Sequence, residues 1–173
     1  TDSHLFAEAD GSLLRLRPAD SLQQVIDLVR AEQPQVDLLL GTGDLAQDGS
    51  VAAYRHFREL TGSLCARARW IPGNHDHVPN MYEAAVQSRL LDPVVDLGNW
   101  RITLLHSNVD QKSHGYLEDS QLQLLAQSLS EAPDLHHLIS LHHHPVPVGC
   151  EWIEPIGLRN ASEFWKVLDR YPQ

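Results

Sequence analysis

Helix-like and strand-like segments alternate along the sequence, and this alternation restricts the fold more than any other feature. Apolar residues recur with helical spacing in residues 20–32. The following segment, VDLLLG at 36–41, is a short apolar run of buried-strand length that ends at a glycine. Repetition of this pair of patterns is typical of an α/β protein in which helices cover a sheet.

The same alternation continues to the end of the sequence. We expect further helices over 50–60, 80–88, 119–130 and 161–169, and further strands over 66–73, 101–107 and 136–145. Asn160 and Glu163 flank the start of the last helix with the spacing of a capping box. No internal repeat or linker divides the pattern, so we predict a single domain over residues 1–173.

Composition excludes several classes of protein. A formal net charge of -10 argues against a nucleic-acid-binding surface, which is usually basic. No apolar run is long enough to cross a bilayer, so no membrane partner is predicted. Cys65 and Cys150 lie far apart without CxxC spacing, which favours a reducing compartment and predicts a cytoplasmic location. Nothing in the sequence indicates an oligomeric state.

Polar motifs follow the predicted strands. They are DSH at 2–4, GTGD at 41–44, GNHD at 73–76 and LHHHP at 141–145. The carboxyl ends of strands are where α/β sheets bind ligands, so side chains distant in sequence are expected to converge there. Carboxylate, imidazole and amide groups form the donor set for Mn, Fe, Zn or Co at hydrolytic two-metal centres.

Each motif also has a structural explanation when it is taken alone. Asp44 could be a turn residue, GNHD could bond its own backbone, and His143 could fill a core or a surface. Four such motifs that each follow a strand or open the chain make a coincidence of turn chemistry improbable. The sequence therefore predicts a metal site at the edge of a sheet.

The order of these motifs resembles that of the calcineurin-like metallophosphoesterases, whose pattern is DxH, GD, GNH[DE], H and GHxH. Longer segments such as IPGNHDHVPNMY and LHHHPVPVGCEWIEPIGLRN are similar to the bacterial class III 3',5'-cyclic AMP phosphodiesterases. The resemblance implies a four-layer αββα sandwich, incomplete in this chain. It also implies two divalent metal ions, Fe, Mn, Zn or Co, whose identity the sequence does not determine.

Carried over by residue, the resemblance assigns metal ligands at five positions. Asp2 and His4 would hold the first ion, Asp44 would bridge both, and Asn74 and His143 would hold the second. His143 is chosen within the histidine triplet because the family's ligand stands two residues before the proline. His142 and His144 are then expected to line the wall or to support the ligands.

The resemblance also assigns residues to the substrate. His75 and Asn74 would contact the phosphate, and His75 would protonate the leaving ribose oxygen while Asp76 orients or tunes it. Arg159 is predicted to reach the phosphate and Trp152 to stack on a base. A surface charge at Arg159 and a hydrophobic lid at Trp152 remain equally valid interpretations. For His106, in the segment LLHSN, we favour a residue at a strand end over a pocket residue.

The function implied is hydrolysis of 3',5'-cyclic AMP, or a related cyclic nucleotide, to the 5'-monophosphate by a hydroxide that two metals activate. Alternatives are a phosphodiesterase for 2',3'-cyclic nucleotides or glycerophosphodiesters, and a protein phosphatase of the same superfamily. The GHxH motif is absent and no strand precedes DSH. We therefore expect a fragment truncated at both ends, which leaves a further alternative, an inactive piece that binds metal weakly.

Overall fold

The computed structural model describes residues 1–171 of the chain. Two compact units divide it, an N-terminal unit, Thr1–Leu91, and a C-terminal unit, Asp92–Gln173, and we describe each by itself. The described residues form helices α1 (Pro18–Glu32), α2 (Val51–Gly62), α3 (Val78–Ala84), α4 (Asp119–Glu131) and α5 (Ala161–Leu168), and strands β1 (Leu39–Thr42), β2 (Ala68–Ile71), β3 (Val94–Leu97), β4 (Trp100–Leu104) and β5 (His136–Ser140). The α/β class predicted from the alternation is confirmed.

The N-terminal unit is built around the parallel pair β1 and β2. Helix α1 begins at Pro18, where a proline loses no hydrogen bond because the first helical amides lack partners within the helix. Helix α2 begins after Ser50, whose hydroxyl accepts a hydrogen bond from the Ala53 amide at 3.1 Å. Both helices had been predicted from periodicity, and their positions are confirmed.

A single apolar core holds this unit together. Its largest fully buried side chain is Tyr54 of α2, and Phe57 of the same helix meets Trp70 of β2 edge to face, with ring centroids 5.5 Å apart. Leu5 and Leu45 are also completely buried in this core. Because Leu5 follows DSH and Leu45 follows GTGD, burial of these two leucines anchors both polar motifs to the same core.

The C-terminal unit contains a three-stranded sheet in the order β3, β4, β5. Strands β3 and β4 are antiparallel, whereas β4 and β5 are parallel and are connected through α4. Leu105, Leu117, Leu125 and Phe164 belong to its core. Strand β3 was not predicted from the sequence, and the helix predicted over 80–88 is α3, which spans Val78–Ala84.

The capping box predicted at α5 is wrong. Asn160 does stand at the N-cap position, but its side chain makes no capping bond. Its amide instead pairs with the backbone of Leu117, accepting from the Leu117 amide at 2.9 Å and donating to the Leu117 carbonyl at 2.8 Å. Asn160 therefore ties the start of α5 to the segment before α4.

Among the described helices, none is long and apolar enough to cross a membrane.

Candidate metal centre

The loops after β1 and β2 lie at the same edge of the N-terminal sheet. The two strands are parallel, and Thr42 at the end of β1 pairs with Ile71 at the end of β2. Asp44 and the GNHD segment therefore leave the sheet side by side, as predicted for ligand-binding loops at the carboxyl ends of strands. The amide of His75 donates a hydrogen bond to Oδ1 of Asp44 at 2.9 Å and joins the two loops directly.

The first residues of the chain run alongside the GTGD loop. The amide of Asp2 donates to the Gly43 carbonyl and that of His4 to the Asp44 carbonyl, each at 2.9 Å. A parallel bridge between Leu5 and Ala46 continues this pairing. The backbone thus places the DSH motif against the GTGD motif.

Three side chains of these loops meet at a candidate metal centre, where each could supply a ligand or contact a bound molecule. The ligand atoms of His4, Asp44 and His75 all lie within 4.8 Å of one another. Nε2 of His4 is 3.8 Å from Oδ2 of Asp44 and also 3.8 Å from Oδ1 of Asp2. These distances are too long for hydrogen bonds, but they suit ligand atoms that bind the same metal ion. Asn74 stands in the same loop, between Gly73 and His75.

The negative charge of the cluster acts on His4. The pKa of His4 is raised, first by its interaction with the Asp2 carboxylate and also by the charge of Asp44, against the opposing effect of burial. Asp44 is only 4% exposed. Burial of a carboxylate beside other acidic groups is costly away from water, and a bound cation would offset this cost.

The backbone of the candidate ligands lies in the left-handed region. Its φ angle is 57° at Asp2, 45° at His4 and 52° at Asp44. Residues other than glycine rarely take this conformation, which costs about 1–3 kcal/mol at each position and concentrates at functional sites. The hydrogen bonds between the two segments and the burial of Leu5 and Leu45 offset this cost.

Gly73 allows the GNHD loop to approach Asp44. A Cβ atom at this position would lie 2.5 Å from the Asp44 amide nitrogen and still closer to the Asp44 carboxylate. Backbone atoms at such a distance leave no room for a side chain. The glycine of the motif is therefore required by close packing against the central ligand.

Asp76 joins the two loops through their backbone. Its carboxylate accepts hydrogen bonds from the amides of Leu45, Ala46 and Gly73 at 3.1, 3.1 and 2.8 Å. Burial raises its pKa, while these three donors act in the opposite direction. The contacts give Asp76 a role in holding the loops, and the predicted action on His75 remains a prediction.

The contribution of Asp76 can be measured through stability. Asp76→Asn keeps the shape of the side chain but replaces one acceptor oxygen by a donor, so one loop amide loses its partner. We expect the free energy of unfolding to fall by about 1.5 to 3 kcal/mol in urea denaturation. Asp10→Asn, which makes the same change at an exposed position, should leave it unchanged. Equal stabilities of the two variants would contradict the loop-holding role.

Gln47 was missed by the sequence analysis. Its side-chain nitrogen lies 3.4 Å from Nδ1 of His75. An amide nitrogen only donates, so Nδ1 accepts and Nε2 carries the proton of the neutral ring. His75 is exposed, so this proton is accessible to a bound molecule. No motif identifies Gln47, although its place three residues after Asp44 could have suggested a contact with the same loop.

In the C-terminal unit, the LHHHP segment follows β5 as predicted. His143 is only 3% exposed, and burial lowers its pKa to about 4. Its Nε2 atom is buried and has no hydrogen-bond partner among residues 1–171. A buried nitrogen without a partner is uncommon and fits a position that an ion would fill. His142 packs edge to face on His143, with ring centroids 5.0 Å apart.

Arg159 lies at a cleft of about 260 Å³ in the same unit. The lining residues include His144, Glu154, Leu158 and Arg159. The guanidinium of Arg159 donates to the Pro155 carbonyl at 3.0 Å, and its predicted contact with phosphate stays a prediction. Trp152 is 76% exposed, so it is not a core residue of the described structure.

In this α/β fold, the loops at the strand ends bring carboxylate and imidazole groups together. This arrangement is typical of metal-dependent hydrolases. Comparison with known families makes this class specific, because the family model described as "Calcineurin-like phosphoesterase" matches residues 1–167. The chain belongs to the calcineurin-like phosphoesterase family, and the resemblance stated from the motifs is confirmed.

Curated relatives are similar over the whole chain. The 3',5'-cyclic adenosine monophosphate phosphodiesterase CpdA of Pseudomonas aeruginosa is 48% identical over 100% of this chain and 64% of its own length. The protein of the same name from Escherichia coli strain K12 is 45% identical over 99% of this chain and 63% of its own length. The chain thus spans less than two thirds of these relatives.

A solved structure supports the fold. The crystal structure of a dimetal phosphatase from Danio rerio superposes with a TM-score of 0.69 at 17% identity, covering 98% of this chain and 76% of that one. At this identity the likeness concerns the fold alone, and it confirms the predicted fold family.

Proposed function

We propose that this chain forms part of a phosphodiesterase that hydrolyses 3',5'-cyclic AMP to the 5'-monophosphate. The convergence of His4, Asp44 and His75 at one sheet edge carries the proposal for the chemistry. The substrate is proposed because the relatives at 48% and 45% identity bear the name of a 3',5'-cyclic AMP phosphodiesterase.

Five residues are proposed to hold two metal ions. Asp2 and His4 would hold the first ion, Asp44 would serve both, and Asn74 and His143 would hold the second. The short distances from His4 to both carboxylates and the unpartnered Nε2 of His143 support these assignments. When bound, two divalent ions supply a water of lowered pKa and offset the charge on the phosphate oxygens.

The side chains of this chain account for the proton transfer. Opening the cyclic diester forms a new bond between phosphorus and a water oxygen and breaks the bond between phosphorus and O3'. O3' leaves as a poor alkoxide and needs a proton, which the imidazolium form of His75 would donate from Nε2, leaving the ring neutral. The side-chain amide of Gln47, 3.4 Å from Nδ1, orients the ring. Asp76 keeps the loop of His75 against the loop of Asp44.

Replacing His75 should separate chemistry from metal binding. In His75→Ala the proton donor is lost, and we expect turnover to fall by about 10²- to 10⁴-fold. The proposed ligands are unchanged, so bound metal measured by elemental analysis should stay at the wild-type level. His77→Ala, which removes an exposed imidazole two residues away, serves as the control. Full activity in His75→Ala would exclude its role as the proton donor.

The proposed substrate can be tested directly. The purified 173-residue chain, supplied with Mn²⁺, should hydrolyse 3',5'-cyclic AMP faster than 2',3'-cyclic AMP or p-nitrophenyl phosphate, and a chelator should stop the reaction. Hydrolysis of the monoester alone would indicate a phosphatase. Absence of both bound metal and turnover would contradict the proposal for this chain.

A further inference from the structure

Ser107 is a buried residue of the C-terminal unit to which the proposed mechanism assigns no role. It lies three residues beyond the end of β4 and is 0% exposed. Its hydroxyl oxygen is 2.8 Å from Nδ1 of His143. Its carbonyl accepts a hydrogen bond from the Tyr116 amide at 3.0 Å, which fixes the backbone from which the hydroxyl projects.

The His143 ring is also confined by Gly115. A Cβ atom on Gly115 would lie 2.6 Å from both Cβ and Nδ1 of His143, so the imidazole packs directly on the backbone. The Gly115 amide donates to the Gly157 carbonyl at 3.2 Å, and its carbonyl accepts from the Arg159 amide at 2.9 Å. These bonds hold the surface on which the ring rests.

The two ring nitrogens of His143 are in different surroundings. Nε2 is buried without a partner among the described residues, whereas Nδ1 faces the Ser107 hydroxyl. A backbone hydrogen bond with Ser113 also involves the ring. A backbone carbonyl only accepts, so the ring nitrogen that bonds to it carries a proton. Because Nε2 has no partner, the protonated nitrogen is Nδ1.

We infer that Ser107 is a positioning residue, whose hydroxyl accepts from Nδ1–H of His143 and thereby leaves Nε2 with its lone pair available to a metal ion. The inference rests on the proposed function because it takes His143 as a ligand. Ser107 contributes no ligand itself; together with the Ser113 backbone it favours the Nδ1–H tautomer, and it fixes the direction of the ring. Hydrogen-bond partners of the other nitrogen of a metal-binding histidine influence how tightly the metal is bound.

A matched pair of variants tests the inference. Ser107→Ala removes the hydroxyl that faces His143. Ser128→Ala removes a hydroxyl of similar burial in the same unit, where Ser128 is 2% exposed and lies 2.6 Å from the Thr103 hydroxyl. Each variant loses one buried hydrogen bond, so both should lose similar stability and a difference in metal binding would not reflect stability.

Two measurements on the full 173-residue chain give the readout. Nitrogen chemical shifts of the His143 imidazole in the metal-free chain should show the Nδ1–H tautomer, and Ser107→Ala should shift the ring toward a mixture of tautomers. Calorimetric titration with Mn²⁺ should show an affinity about tenfold weaker in Ser107→Ala. This is the smallest loss typical of removing a hydrogen-bond partner of a metal-binding histidine, and we expect it because the Ser113 backbone still contacts the ring. Ser128→Ala should match the wild type in both.

The outcome is independent of the catalytic assay. A wild-type ring in the Nε2–H tautomer, or unchanged shifts and Mn²⁺ affinity in Ser107→Ala, would overturn the inference. If the chain binds Mn²⁺ but hydrolyses no cyclic nucleotide, the proposed substrate fails while the same shifts and affinities still decide the role of Ser107.

Discussion

Asp44→Asn should abolish metal binding and turnover together. Asp44 is buried among the candidate ligands and, in the proposed centre, contacts both ions. The substitution retains an oxygen that can accept from the His75 amide, so the loop contact seen at 2.9 Å is preserved and only the charge is removed. Loss of this carboxylate removes several kcal/mol of stabilisation, and we expect turnover to fall by about 10³-fold.

Elemental analysis and the cyclic AMP assay on the same preparation measure both effects. Asp10→Asn is the matched control, since it removes one negative charge from an exposed position of the same unit. It should retain wild-type metal content and rate. If Asp44→Asn kept full metal and full rate, Asp44 could not be the residue that bridges the two ions.

Gly73→Ala should disturb the centre without changing any ligand. The added methyl group would overlap the amide nitrogen and the carboxylate of Asp44, and the backbone cannot rotate away as a flexible side chain would. One loop must move, which separates Asp44 from the loop of His75. We expect the free energy of unfolding to fall by about 1 to 3 kcal/mol, and bound metal to be lost.

Gly62→Ala provides the matched control for this substitution. Gly62 is the last residue of α2, is exposed, and has no atom within 4 Å of the place a Cβ would take. An alanine there should be neutral or raise the free energy of unfolding by up to about 1 kcal/mol, because alanine favours the helix. Thermal unfolding and metal analysis of the two variants give the comparison. A Gly73→Ala protein with normal metal content would exclude the close-packing requirement.

Local periodicity made the helices and most strands predictable. Helices α1 and α2 carry an apolar stripe that alone predicts their position. Strand β3 was missed because VVDL is short and follows Pro93, although the two-residue turn at Gly98, with φ of 58°, is a hairpin signal. The predicted capping box at α5 was wrong because the Asn160 side chain can either cap a helix or bond to another segment. Its hydrogen bonds with Leu117 involve a segment 43 residues away, which local sequence does not reveal.

The gathering of the DSH, GTGD and GNHD loops was predictable for a different reason. DSH, GTGD and GNHD are contiguous motifs, and the parallel pairing of β1 and β2 brings their loops to one edge. Gln47 and Ser107 belong to no motif, and only tertiary contact reveals which imidazole each one faces. The hydrogen bonds that Asp76 accepts from three amides could not be predicted either, because every residue type except proline supplies the same backbone amide.

The left-handed backbone at Asp2, His4 and Asp44 has a consequence for how an ion enters the protein. A disordered chain rarely takes this conformation at three such residues at once, so the ligand geometry is a property of the native state and not of the motifs as peptides. An ion that binds this geometry would therefore bind the folded form in preference to the unfolded chain. The apparent melting temperature would then rise with the free concentration of that ion.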